Sequence, residues 1–168
     1  MDAAEHAAPG VRELLAAAVT ALESAGVPDE AVGRLRQPRR FSLSRARTIE
    51  PVGRAWRLGV LLLSRDGSLA ATGTVTRAIE PPMGTANKSP EAEERREDRR
   101  AAVRGGFAEG EVVNFGAEPI DLDALGPGEG GAGPLVMLDG RVMVRWSASG
   151  LAPLEAYLAE RTALLIEG

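Results

Sequence analysis

The chain has 168 residues, 44% of them apolar and 26% charged, a balance that suits one globular domain and excludes disorder throughout. It has no cysteine, which removes disulfides, thiolate metal sites and a cysteine nucleophile; its single histidine, His6, gives no basis for a histidine triad or a multi-histidine metal site. Net charge is -4 and aromatics are 4%, so neither an overall pull toward nucleic acid nor a set of stacking platforms exists, and nucleic acid is not expected as a partner.

Residues 1 to 10 read as a flexible tail and 11 to 168 as a single α+β domain. The tail carries Asp2 and Glu5 and no basic region, so it is not a secretory signal. From Val11 a helix is predicted, with Val11, Leu14, Leu15, Ala18, Val19 and Leu22 at helical spacing; Gly26 stands at the C′ position and Pro28 two beyond. Asp29 to Leu35 reads as a short second helix ended by Gln37-Pro38. Phe41 to Ile49 reads as a strand. Arg54 to Ser64 and Ser68 to Ile79 read as a hairpin about Asp66-Gly67, because the tight turn needs positive φ. In that register Trp56 faces Arg77, a cation–π arrangement. Leu58 to Leu63, the longest strongly apolar run, is far short of the ~20 residues of a bilayer span and suits a strand covered on both faces. No membrane partner is expected and the location expected is cytoplasmic.

Glu80 to Ser89 is a predicted loop. Ser89-Pro90 opens a helix with serine as N-cap, proline at the first position and Glu91, Glu93 and Glu94 near the positive end of the dipole. Gly105-Gly106 ends it. The pairs Glu91–Arg95 and Glu93–Arg96 have helical spacing, and the thin apolar side (Ala92, Ala101, Ala102, Val103) predicts a largely wet edge helix. Glu111 to Phe115 is a predicted short strand, Pro119 to Leu125 fits no single pattern, and Gly126 to Gly133 is a glycine-rich loop. Leu135 to Leu138 and Arg141 to Trp146 form a second hairpin about Asp139-Gly140, with Leu135, Met137, Val142, Val144 and Trp146 on the face expected to bury. A final helix begins near Pro153, its inner stripe Leu154, Tyr157, Leu158, Thr162 and Leu165. Hairpin connections with helices packed on them predict an α+β fold built on an antiparallel sheet.

Charge is unevenly placed. Arg34, Arg36, Arg39, Arg40, Arg45 and Arg47 lie in a stretch with no acid, whereas Glu109, Glu111, Glu118, Asp121, Asp123, Glu129 and Asp139 lie in one with no base. The first block reads most simply as a face neutralised by the second block or by water; the sharper reading is an anion-binding surface, since guanidinium matches carboxylate and phosphate. The cations comprise nineteen arginines and one lysine, Lys88, so arginine count by itself is weak evidence.

Several motifs fail on inspection. Asp121-Leu-Asp123 has the start of a calcium loop, but Leu125 and Ala132 stand where ligands belong, so Asp123 reads as a cap. The glycines after Leu125 lack the lysine and hydroxyl of a phosphate loop, and Glu129 opposes one. Thr85-Ala-Asn-Lys88 is the nearest string to a serine–lysine pair, and a wet lysine stays protonated. No metal or other cofactor is expected. Asn114, Phe115, Trp56, Trp146 and Tyr157 read as core, or as the lining of a pocket with a polar rim.

The stretches Leu35–Arg40, Pro51–Leu63, Ala71–Gly73, Glu94–Arg96, Glu111–Phe115, Val144–Ser147 and Leu154–Arg161 together resemble a family of short bacterial proteins, some of whose members carry the label glutaminase. The resemblance implies an amidohydrolase, but no functional residue transfers: the chain lacks both the cysteine of a Cys-His-Glu triad and a Ser-x-x-Lys pair. The residues therefore point to a non-catalytic module that binds a protein or a small anionic ligand through Arg36, Arg39, Arg40, Arg45 and Arg47. Glutaminase activity is the alternative, and a homodimer is the default assembly.

Overall fold

A computed structural model describes residues 7–38, 40–41, 46–84, 89–125 and 132–168. In chain order the elements are α1 (Ala7–Ser24), β1 (Glu30–Arg36), β2 (Thr48–Leu58), β3 (Leu61–Leu63), β4 (Leu69–Ala71), β5 (Thr74–Arg77) and α2 (Pro90–Arg104). They continue with β6 (Val112–Phe115), β7 (Glu118–Pro119), a 3-10 turn (Leu122–Ala124), β8 (Leu135–Leu138), β9 (Arg141–Arg145), β10 (Leu151–Pro153) and α3 (Leu154–Glu167). The fold is α+β. Every strand pair is antiparallel except β1 with β6. The chain divides into two compact units, Met1–Asp29, Trp56–Thr72 and Glu118–Gly168 forming the first, Glu30–Ala55 and Gly73–Ala117 the second.

In the first unit the end of β2 pairs with β3, β3 with β4 and β4 with β7, while β8, β9 and β10 form a separate sheet. Its core joins Val11, Leu15 and Leu22 of α1 to Trp56, Leu58, Leu61, Leu63, Leu135 and Val144, and to Leu154, Tyr157 and Leu158 of α3. Helix α1 ends as predicted: Gly26 has φ +66°, its N–H donates to Glu23 and the Val27 N–H to Leu22, both at 3.0 Å. The four leucines of the run Leu58–Leu63 are buried, but in two strands. Gly59, at φ +64°, turns the chain so that Leu58 pairs with Leu61. The turn at Asp66-Gly67 is present, as a three-residue loop with Gly67 alone at positive φ, and it joins only β3 to β4. Trp56 consequently pairs with Leu63, and the guanidinium over its ring is that of Arg65, 5.0 Å from the centroid, in place of Arg77.

The second hairpin turns at Asp139 and Gly140, both at positive φ as the tight two-residue loop requires. Trp146 is 48% exposed instead of buried, because β9 ends at Arg145 and the ring lies over the Gly150 backbone at the following turn. The cap at the 3-10 turn is Asp121, which accepts from the Asp123 N–H at 3.0 Å; Asp123 itself pairs with Arg12 at 2.7 Å.

In the second unit the strand order is β5-β6-β1-β2, with α2 packed on one face through Ala101 and Ala102 against Ala31, Ile49, Val113 and Phe115. Residues 30–36, expected as a helix, form the strand β1. It is paired on both edges, and its Gly33 lets Ile49 and Phe107 close over the backbone where a side chain would collide. Two ladders outweigh the weak helical spacing of so short a segment. The strand expected over Phe41 to Ile49 begins only at Thr48; Phe41 is in a turn and 97% exposed, and residues 42–45 lie outside the described residues. Helix α2 matches expectation, with Ser89 Oγ accepting from the Ala92 N–H at 3.2 Å and Pro90 at the first position.

Candidate ligand cleft

The second unit carries a cleft of about 540 Å³ lined by Glu30, all four residues of β5, Val112, and Arg95, Asp98 and Arg99 of α2. The helix contributes these three because positions i, i+3 and i+4 share one face, the same face that buries Ala102 one turn on. The sheet contributes its share through register: Glu30 lies abreast of Val112, and Val112 opposite Arg77.

Two carboxylates line the cleft, and each is engaged from within the protein. Asp98 is buried and meets Arg47 at 3.3 Å. Burial raises its carboxyl above the ordinary range, with the Arg47 guanidinium opposing and Glu94 and Glu97 adding to the rise. Glu30 accepts at 2.7 Å from the side-chain amide of Asn114, which is fully buried and also donates to the Ala31 carbonyl at 3.3 Å. Asn114 is thus a core residue with satisfied donors that fixes one wall of the cleft.

Three exposed guanidinium groups complete the lining. Arg77 donates to the Gly110 carbonyl at 3.2 Å. Arg95 and Arg99 make no hydrogen bond or ion pair among the described residues. The other arginines of α2 differ: Arg100 meets Glu93 and Glu97, and Arg104 meets Glu97 and donates to the Arg47 carbonyl.

The arginine block fares differently from the sharp expectation. Arg36 is held by Glu50 at 2.5 Å and Arg47 by Asp98, so two of its members are committed to ion pairs within the second unit. Arg40 is exposed, while Arg39 and Arg45 lie outside the described residues, as do His6, Lys88 and Glu129. Two acids of the base-free segment find arginines from elsewhere, Glu111 pairing with Arg54 and Asp123 with Arg12, each at 2.7 Å. Arg99 did not stand out in the sequence and Arg95 stood out only as a partner for Glu91, because both read as ordinary helix charges. Only the packing of α2 against the edge strand brings them into one cleft with Arg77.

The first unit has an apolar groove of about 340 Å³ between α1 and α3, lined by Leu14, Ala18, Ala21, Leu158, Thr162 and Ile166 among others. Its chemistry is that of helix packing. Among the described residues no three histidine or acidic side chains gather where a metal would be held, and no helix is long and apolar enough to cross a membrane. Comparison with protein-family models, with curated proteins and with solved structures gives no match.

Proposed function

We propose that the protein is a non-catalytic, cytoplasmic binding module that takes an anionic group, of a small ligand or of a protein partner, in the cleft beside α2. The supporting observation is an imbalance of commitment. The two acids of the cleft are already held by Arg47 and Asn114, whereas Arg95 and Arg99 make no ion pair or hydrogen bond among the described residues, Glu91 acting on Arg95 only through its charge. A guanidinium that the fold leaves unpaired is available to carboxylate or phosphate, which it meets through two parallel hydrogen bonds. This reading takes Arg77, Arg95 and Arg99 as contacts in place of the expected Arg36, Arg39, Arg40, Arg45 and Arg47, of which Arg36 and Arg47 are ion-paired and Arg39 and Arg45 lie outside the described residues.

The test is thermal unfolding with citrate, inorganic phosphate and an acidic peptide, in the wild type and in the Arg77→Ala/Arg95→Ala/Arg99→Ala variant. A ligand at about a hundred times its Kd stabilises by about 2.7 kcal/mol, and that gain should vanish in the variant. No stabilisation by any of the three anions, or equal stabilisation of both proteins, refutes the reading. The amidohydrolase alternative rests on the resemblance alone and requires the same wild-type preparation to release ammonia from glutamine.

A further inference from the structure

We infer that the ligand of this cleft is an extended acidic peptide segment, added as a new strand along the free edge of β5. The inference rests on the anion-binding reading and specifies its ligand.

Strand β5 ends the ladder β5-β6-β1-β2, so among the described residues one of its edges has no strand beside it. Which backbone groups face that edge follows from the bulge next to it. Ala78 donates to the Glu111 carbonyl at 3.0 Å and accepts from the Gly110 N–H at 2.9 Å, with Gly110 at φ +82°. Residues bonded to one neighbour alternate along an antiparallel strand. Thr76 and Thr74, opposite Val113 and Phe115, therefore turn their backbone toward β6, and Val75 and Arg77 turn theirs outward. The Arg77 carbonyl is occupied by the Ile79 N–H at 2.9 Å. Among the described residues the outward Val75 N–H and C=O and the Arg77 N–H remain to pair an incoming strand.

The cleft lies along this edge. Thr74, Val75, Thr76 and Arg77 all line it, although successive residues point to opposite faces of the sheet. A cavity on one face would touch alternate residues; one that touches four in succession runs beside the strand. Helix α2 supplies the other wall. A strand edge with a helix wall beside it is the geometry in which main-chain hydrogen bonds give affinity and alternate side chains give specificity.

The chemistry of the wall selects acids. Arg95 and Arg99 are about 6 Å apart along the helix axis, and alternate residues of a strand are about 6.7 Å apart. Glutamates at every second position of the added strand can thus meet both, while Arg77, next to the α2-facing Thr76, stands on the other face of the sheet. An arginine on a sheet edge also discourages pairing with another copy of the same edge. That repulsion disfavours basic partners and leaves acidic ones.

The experiment uses the full chain and a fluorescein-labelled peptide of three Val-Glu repeats, followed by anisotropy. Two further peptides carry N-methyl groups on the valine or on the glutamate nitrogens, which leaves every charge in place but removes alternate hydrogen-bond donors. One methylated peptide should bind as the parent does, and the other at least tenfold more weakly, because the glutamates turned toward α2 fix which nitrogens face β5. Val75→Pro removes only an outward N–H and should also cost at least tenfold, with an unchanged circular dichroism spectrum; if it unfolds, the methylated pair on the wild type decides alone. Equal binding of all three peptides overturns strand addition, and loss of binding in the triple arginine variant would still uphold the anion site. Stabilisation by citrate or phosphate without any peptide binding overturns the inference in favour of a small anion.

Discussion

Asp98 is the residue whose ionisation the fold disfavours most clearly. Its carboxyl is raised by burial, so between the unfolded value and the folded one the native state holds more protons than the unfolded state. Its contribution to stability is therefore greatest in acid and declines as pH rises through the folded value. Replacing it by asparagine removes that titration. The stability of the wild type relative to Asp98→Asn, measured by urea unfolding from about pH 4 to about pH 7, should fall as pH rises. A difference that is flat or rising would mean that Arg47 outweighs the burial. Glu111 behaves in the opposite sense, since the hydrogen bond from Arg54 holds its carboxyl below the usual range, and its contribution is lost as acid is added. Asp66 is likewise lowered by the hydroxyl and N–H of Ser68, at 2.6 and 2.9 Å, which close the turn before β4.

Between elements, the strongest local device is the contact of α3 with the turn joining β2 to β3. The Tyr157 hydroxyl accepts from the Val60 N–H at 2.9 Å and donates to the Leu58 carbonyl at 3.0 Å, so one side chain satisfies a backbone group on each side of the turn. Gly59 has to be glycine: its φ is +64°, and a Cβ there would collide with the same hydroxyl. Tyr157→Phe leaves the two backbone groups without their partner and should cost about 1–3 kcal/mol. In calorimetry that appears as a fall in Tm of about 2–4 °C for each kcal/mol. An unchanged Tm would show that water replaces the hydroxyl at no cost. The Arg161 guanidinium, 5.2 Å from the Tyr157 ring centroid, covers the ring's face.

At the level of the whole molecule, the chain builds two cores from interleaved segments. The first draws on residues at both ends and on the β2–β4 hairpins, whereas the second draws on β1, β6 and α2. The two sets of core residues share no member. Destabilising one core should therefore be felt chiefly within its own segments. For Tyr157→Phe, native-state hydrogen exchange should quicken in β3, β4, β8 and β9 and leave β1 and β6 near their wild-type protection. Equal loss of protection in both sets would show that the units open together.

What the sequence determined by itself was local. Gly26 ended α1, Ser89-Pro90 began α2, and Asp139-Gly140 set the second hairpin, because caps and tight turns depend on a few adjacent residues and on the sign of φ. The α+β class followed from the same signals. What tertiary structure decided was everything that depends on partners distant in the chain. Strand β1 is a strand because β2 and β6 flank it, and Trp56 meets Arg65 because Gly59 folds an apolar run in two. Arg36 and Arg47 are consumed by Glu50 and Asp98. The cleft likewise assembles Arg77, Arg95 and Arg99 from a strand and a helix, and no spacing along the chain encodes that proximity. Local conformation is set by neighbours in sequence, whereas the availability of a charge is set by which opposite charge the fold brings to it.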